Sequence, residues 1–379
     1  MDWNWQKLSW PSFRHDPERL AAFESRFLEG RGRFVGGVQH LDPSERTQLT
    51  VELLTTEAVE TSKIAGETLA PESVRPSIRR SFGLTADGSS DPAESGIAEM
   101  MVDLYGSAHA PLTEEALFSW SGMIHKGADE LHEGGGYRSS SEAVQIVSGP
   151  ARNRRIDFEA PPAADVPGEM DEFIRWFNRT AEDGPDHLPL LTRAGIAHLY
   201  FECIQPFENG NGRIGRAIAE KALTRGAGDR VMVGLSGPML RKKNEYYRLL
   251  AASNRRLEIT DWLVWFAEIA LEAQASTMDG ISFAIEKKHL LDRLRDRMNE
   301  RQEKALLAML DEGPEGFPDG LSAGDYLRIT GTSPATATRD LVDLVEKGAL
   351  RKEGDRKWAR YHLVRGRASG VRRPKPDVA

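Results

Sequence analysis

The chain has 379 residues, more than one ordinary hydrophobic core accommodates, so two or three domains are expected. Its 40% hydrophobic and 28% charged residues are those of a globular protein, and it lacks the apolar run of about 18 residues that a membrane span needs. The net charge of −8 argues against a protein that coats nucleic acid with its whole surface, and the single cysteine, Cys203, excludes an internal disulfide framework and fits a reducing compartment.

The first residues, with Trp3, Trp5, Trp10 and Pro11, are aromatic-rich and irregular. They show neither the basic nor the apolar region of a signal peptide, so a cytoplasmic location without membrane association is expected. Apolar residues at helical spacing predict helices over Pro17 to Leu28 and Pro43 to Ile64, the second ending near Gly66. In that helix Val51, Leu54 and Ala58 form one stripe, and Leu49, Leu53 and Ile64 fall on another, which predicts cover on two sides. Pro71 to Phe82 reads as a short helix, and the Gly/Ser/Asp-rich Thr85 to Pro92 as a loop. Helical patterns return over Ala93 to Ala108, Thr113 to Gly127 and Val166 to Thr180, with Thr113 as a start signal. Before the last of these, Ala143 to Val147 and Arg155 to Phe158 alternate like a short hairpin, closed by Pro161 and Pro162.

Leu188 to Ile204 reads as a buried helix stopped by Pro206. Arg213 to Arg225, Asn244 to Arg255 and Thr260 to Leu294 complete a helix-rich body. The character then changes. Asn299 to Asp311, Leu321 to Leu327 and Ser333 to Glu346 are helices, and Leu350 to Leu363 alternates around Gly354 like a two-stranded wing. Helix, turn, helix, wing is the order of a winged helix-turn-helix domain. Residues Arg351 to Arg373 are strongly basic, which suits either a local anion-binding segment or a solvated tail. Ser333, with Pro334 just inside it, would open the recognition helix, whose Thr336, Thr338 and Arg339 could meet DNA, while Arg351, Lys352, Arg356, Lys357 and Arg360 on the wing could meet phosphate; a protein-docking or dimer module is the alternative.

The chemistry concentrates between Gln205 and Arg216, in the run Gln-Pro-Phe-Glu-Asn-Gly-Asn-Gly-Arg-Ile-Gly-Arg. Gly210 and Gly212 let the backbone turn tightly and approach an anion. The helix expected to follow brings the positive end of its dipole. Arg213 and Arg216, three residues apart, share a helix face and can hold phosphate oxygens. Asn211 can hydrogen-bond phosphate or hold the loop. The same residues also satisfy GxGxxG, but that dinucleotide fingerprint needs a preceding strand, and here the preceding pattern is helical.

In this spacing Pro206, Phe207, Gly210, Asn211, Gly212, Arg213 and Arg216 resemble the signature of the Fic (filamentation induced by cAMP) family, and the resemblance extends along nearly the whole chain. It implies a mainly α fold: a helical core with a small β-hairpin flap, and a C-terminal winged helix. The expected organisation is an accessory N-terminal region over 1–92, a Fic core over 93–296, the winged helix over 297–366 and a basic tail over 367–379. The implied activity is transfer of AMP from ATP, with Mg2+, to a Ser, Thr or Tyr hydroxyl of a protein target or of the chain itself. Such proteins often dimerise. The hairpin residues Val144, Gln145, Ile146 and Val147 would register an extended target segment by strand pairing.

The sequence departs from the family at three positions. The family places a proton-accepting His where this chain has Gln205, and a neutral amide cannot take the hydroxyl proton. Loss of a general base costs roughly 10²–10⁴-fold in rate. At the family's metal-ligand position stands Asn209, whose single neutral oxygen Mg2+ accepts but holds less strongly than a carboxylate. Upstream, Thr61 to Gly66 resembles the family's inhibitory helix motif with Ala65 in place of its glutamate. In the family that glutamate pairs with the second motif arginine, so Ala65 is expected to leave Arg216 free. The expected protein binds nucleotide but turns it over poorly; the alternative is a nucleotide-sensing DNA-binding regulator with a non-catalytic core. Tyr246 and Tyr247 suit either an adenine pocket or the core, and His125, His132 and His198 are spaced as structural histidines. Cys203 is expected to be a buried apolar residue and not a nucleophile.

Overall fold

Helix starts in this chain are written by short polar caps and prolines. In α2 (Pro43–Ile64), Asp42 accepts from the Glu45 amide at 3.0 Å while Glu45 accepts from the Asp42 amide at 2.8 Å, with Pro43 in the first turn. In α13 (Ala323–Thr330), Ser322 and Asp325 make the same reciprocal pair. The computed structural model describes residues 2–39, 41–86, 91–127, 135–148, 152, 155–224, 232–312, 317, 319–355 and 358–364. Among the described residues the fold is mainly α, with two small two-stranded antiparallel sheets. No helix among them is long and apolar enough to cross a membrane.

The chain divides into two compact units, Met1–Thr277 and Met278–Ala379. In the first, α1 (Pro17–Gln39), α2, α3 (Pro71–Ser81), α4 (Pro92–Gly106) and α5 (Glu114–Ile124) precede the hairpin β1 (Gln145–Ser148) and β2 (Arg155–Glu159). Then come α6 (Val166–Arg179), α7 (Leu190–Ile204), α8 (Asn211–Thr224), α9 (Ser236–Arg241), α10 (Lys243–Ser253) and α11 (Thr260–Leu294), whose end lies in the second unit. Helix α7 is buried along its whole length, and α8 packs against it. That pair is the spine of the core.

Helix α1 runs to Gln39, well past Leu28, where the apolar spacing ends the expected helix. Gly30 explains why: a Cβ there would stand 2.0 Å from Gln274 Oε1, so glycine allows α11 to approach, and Gln274 Nε2 donates to the Phe27 carbonyl at 3.0 Å. Helix α2 has Val51, Leu54, Ala58 and Ile64 buried and Leu49 and Leu53 half-buried; α3 and α4 meet it, as do α8 and α9. Helix α8 begins at Asn211, two residues before the start expected from the glycines. In the hairpin, Gln145 pairs with Glu159 and Ile146 with Phe158, and a bulge shifts Val147 onto Ile156.

The second unit holds α12 (Glu300–Asp311), α13, α14 (Pro334–Glu346) and the hairpin β3 (Leu350–Glu353) with β4 (Arg360–Leu363). Leu306, Met309, Leu310, Leu321, Tyr326, Leu341, Leu344 and Leu350 form its own core. Asp340 ties it together, accepting from Tyr326 Oη at 3.0 Å and from Arg301 Nε at 2.9 Å. Arg356, Lys357 and the tail beyond Val364 lie outside the described residues, as does His132.

Candidate functional site

The site is built where α7 stops and α8 starts. Pro206 ends α7, and Gln205 caps it in the left-handed region with φ 49° and ψ 59°. A non-glycine residue there needs support, and Arg138 supplies it. Its Nε donates to the Gln205 carbonyl at 2.7 Å, its Nη2 to the Ile204 carbonyl at 3.3 Å, and its backbone amide to the Pro206 carbonyl at 2.9 Å. A buried guanidinium thus satisfies the last carbonyls of α7 and faces the negative end of its dipole.

The turn that follows is fixed from inside. Asn211 Oδ1 accepts from the Phe207 amide at 2.9 Å, and its Nδ2 donates to the Phe207 carbonyl at 2.7 Å. The Asn211 side chain therefore holds the loop. Phe207 is buried among Phe118, Tyr137 and Phe201. Gly210 has φ +80°, and a Cβ there would come within 3.3 Å of Ile124 Cγ2. Gly212 lies inside the first turn of α8, and a Cβ there would face Arg216 Nη1 at 3.3 Å. Asn209 and Glu208 are exposed at the tip.

Both motif arginines are buried and both are engaged by the end of α2. Arg216 donates through Nε to Thr61 Oγ1 at 2.8 Å and through Nη2 to the Thr61 carbonyl at 2.9 Å. The expectation that Ala65 leaves Arg216 free is thereby corrected: one turn before Ala65 the helix offers the Thr61 hydroxyl and the Thr61 carbonyl, which also accepts from the Ala65 amide, and these reach the guanidinium without a carboxylate. Arg213 Nη1 pairs with Glu67 Oε2 at 2.7 Å, while its buried Nε has no partner. Burial lowers the Arg213 pKa, partly offset by Glu67. The turn at Gly66 makes the Glu67 contact. Gly66 has φ +96°; its amide donates to the Lys63 carbonyl and that of Glu67 to the Ser62 carbonyl. This closes α2 in a Schellman motif and carries Glu67 toward Arg213.

Glu202, one turn before Gln205, is buried and accepts from Gln205 Nε2 at 2.8 Å. Burial raises its pKa to about 7, against the opposing influence of Arg216 and the Gln205 hydrogen bond. His198 hydrogen-bonds the Tyr246 hydroxyl at 2.8 Å; burial lowers its pKa to about 4, so it is neutral near pH 7. Cys203 is buried with its pKa pushed up to about 12, so its thiol stays protonated.

Residues 111–223 match a family model described as Fic/DOC family. The chain carries a Fic/DOC family domain. Residues 3–84 match a separate model, a domain of unknown function, DUF4172. A Fic family protein from Desulfovibrio desulfuricans G20 is similar in structure, with 22% identity and a TM-score of 0.55 over 96% of this chain and 99% of that one, a likeness of fold. A Fic domain containing signaling protein from Bacteroides thetaiotaomicron VPI-5482 matches at 16% identity and a TM-score of 0.48, over 69% of this chain and 97% of that one. No curated protein matches the sequence.

Gln205, Gly210, Asn211, Gly212, Arg213 and Arg216 thus lie on one continuous segment of the Fic/DOC domain, and Thr61 meets it from the DUF4172 segment. Ala65 and Gly66 are exposed beside them. The hairpin stands on the N-terminal tryptophans: Trp5 Nε1 donates to the Glu159 carbonyl at 2.7 Å, and Trp3 packs edge-on to Phe158. Val144 is half-buried, Gln145 is exposed and bonded to Glu159, and Ile146 and Val147 are exposed on β1. Tyr246 belongs to the core, whereas Tyr247 is half-exposed and its hydroxyl reaches the Ile64 carbonyl at 3.4 Å. Three residues of the site escaped the sequence reading as site residues: Arg138, Glu202 and Glu67. Arg138 was legible only as part of Gly136-Tyr137-Arg138, a run before the hairpin that resembles a family segment, and Glu202 as an acid three residues before position 205; the fold alone marks Glu67. In the second unit, Thr338 and Arg339 are exposed on α14, and the exposed Arg351 and Lys352 pair with Glu353 and Asp355.

Proposed function

We propose that this chain is a Fic-type nucleotidyl transferase that moves AMP from ATP to a Ser, Thr or Tyr hydroxyl of a protein target, with slow turnover because an amide stands at the base position. The observation that supports it most is Arg213. A guanidinium with a buried, partnerless Nε, beside a glycine turn and the first amides of α8, is an anion site by its donor set. A triphosphate would draw Arg213 from the exposed Glu67 carboxylate and Arg216 from Thr61.

In the reaction the hydroxyl oxygen attacks the α-phosphorus, the bond to the bridging oxygen breaks, and pyrophosphate leaves with its electron pair. The arginines and the helix end carry the phosphate charge. The hydroxyl proton must leave too; Gln205 accepts a hydrogen bond but keeps no proton, so the proton goes to solvent and the step is slow. Asn209 is an oxygen donor of the kind Mg2+ accepts, and the ion would be held there and by the phosphates, supplying charge neutralisation. The exposed Ile146 and Val147 strand would seat an extended target segment, whether another protein or a second copy of this chain.

Incubating the full chain and Gln205→His with labelled ATP and Mg2+ tests this. Gln205→His should raise AMP incorporation, into the chain itself or into added lysate protein, by roughly 10²–10⁴-fold. Equal labelling in both proteins sinks the assignment of position 205.

A further inference from the structure

We propose that Glu202 is the positioning residue for position 205, holding the Gln205 amide so that its carbonyl oxygen is the only group that side chain can offer an incoming hydroxyl. This rests on the reading above that a target hydroxyl arrives there. A primary amide has two N–H donors and one acceptor oxygen. Here Nε2 lies 3.0 Å from the Glu202 carbonyl oxygen and 2.8 Å from Glu202 Oε2, so both donors are spent on one residue. The backbone carbonyl is an acceptor in every protonation state, which fixes the nitrogen on that side and the oxygen on the other.

The consequence is chemical. An oxygen acceptor suits a hydroxyl, which is a donor, and repels a phosphate oxygen, which is not. Position 205 therefore keeps the orienting half of a base's work and lacks the proton-holding half. The surroundings preserve this arrangement. Arg138 clamps the Gln205 backbone, and Gln205 and Glu202 are each 8% exposed. Glu202 Oε1 is buried without a partner and faces the backbone of α8: a Cβ at Gly215 would stand 2.8 Å from it, and one at Gly212 3.8 Å. The missing side chains make room for the carboxylate. Arg216 on α8 approaches the same spot at Gly212, and its charge favours the ionised form; His198 on α7 is neutral and Tyr246 on α10 is protonated. With an imidazole at position 205, the same carboxylate would accept a ring N–H and orient the base, the arrangement of an activated base and its orienter.

The test uses the full chain labelled with 15N-glutamine, the Gln205 signal being assigned by its loss in Gln205→Leu. Side-chain amide exchange at Gln205 should be slow in the parent and in Glu202→Gln, which keeps an acceptor oxygen, and roughly tenfold faster or more in Glu202→Met. Unchanged exchange in a folded Glu202→Met protein overturns the proposal. Should that variant not fold, Gln205→His and its near-isosteric partner Gln205→His/Glu202→Gln decide. The NMR titration midpoint of the introduced imidazole should fall when the carboxylate is removed, and an equal midpoint in both overturns the proposal. Neither readout needs nucleotide. Calorimetry of Mg2+–ATP on the same proteins therefore separates the two ideas. Absent binding sinks the transferase reading alone, and normal binding with an unmoved amide and imidazole sinks this one alone.

Discussion

The Glu67–Arg213 pair makes a prediction that can be worked from geometry. Two unit charges about 4 Å apart attract by about 4 kcal/mol at the effective dielectric of a protein surface, before desolvation and side-chain ordering are subtracted. The Glu67 side chain is 46% exposed and that of Arg213 10%, so solvent screens one partner and not the other. The interaction then falls to about 1–2 kcal/mol, above an exposed pair and below a buried one. A triphosphate that takes Arg213 must first break this contact. Glu67→Ala removes that cost, so Mg2+–ATP should bind about 5–30-fold more tightly, the factor that 1–2 kcal/mol represents. Isothermal calorimetry at moderate salt reads it directly, and Glu67→Gln should fall between parent and Glu67→Ala. The nucleotide-free variant should also melt at a lower temperature, because Arg213 keeps a buried charge with one partner fewer. Unchanged or weaker nucleotide binding by a folded Glu67→Ala protein would refute the idea that Glu67 competes for the phosphate site.

Other expectations follow from the same geometry. Asn211→Ala leaves the buried Phe207 amide and carbonyl without partners and should cost about 2–3 kcal/mol in urea unfolding, with weaker nucleotide binding; Asn211→Asp should retain part of the loss-free behaviour through its acceptor. Gly210→Ala places a Cβ at φ +80° against Ile124 and should cost about 1–2 kcal/mol. The Glu202 carboxyl, at about 7 in the fold against an ordinary 4.5, binds its proton more tightly folded than unfolded. Its contribution is complete below about pH 4.5 and is lost as pH rises through 7. The parent should therefore lose stability relative to Glu202→Gln across that window; a difference that is flat with pH would contradict the burial argument. Cys203, buried and held protonated, should resist alkylation at pH 8 in the native protein and react only after denaturation.

Local rules carried far along this chain. The Asp42–Pro43 and Ser333–Pro334 starts, the Thr113 cap and the Gly66 stop were legible because a cap needs only its own few neighbours. The motif from Gln205 to Arg216 was legible for the same reason: the turn, the helix start and the arginine spacing are all encoded within a dozen residues. The length of α1 was not, since Gly30 is a helix weakener in sequence and becomes an asset only when Gln274, far along the chain, packs on it.

The chain's own order of residues dictated the helical fold class and the glycine turn beside two arginines. Tertiary packing alone decided what those arginines touch. Ala65 offers no carboxylate, yet Thr61 and Glu67 make the contacts, because the end of α2 packs against α8 and, with the turn after it, brings whatever hydrogen-bonding atoms it has to the buried guanidinium groups. A burial-driven requirement for partners is blind to sequence motif, and long-range partners become visible only when the helices are laid side by side.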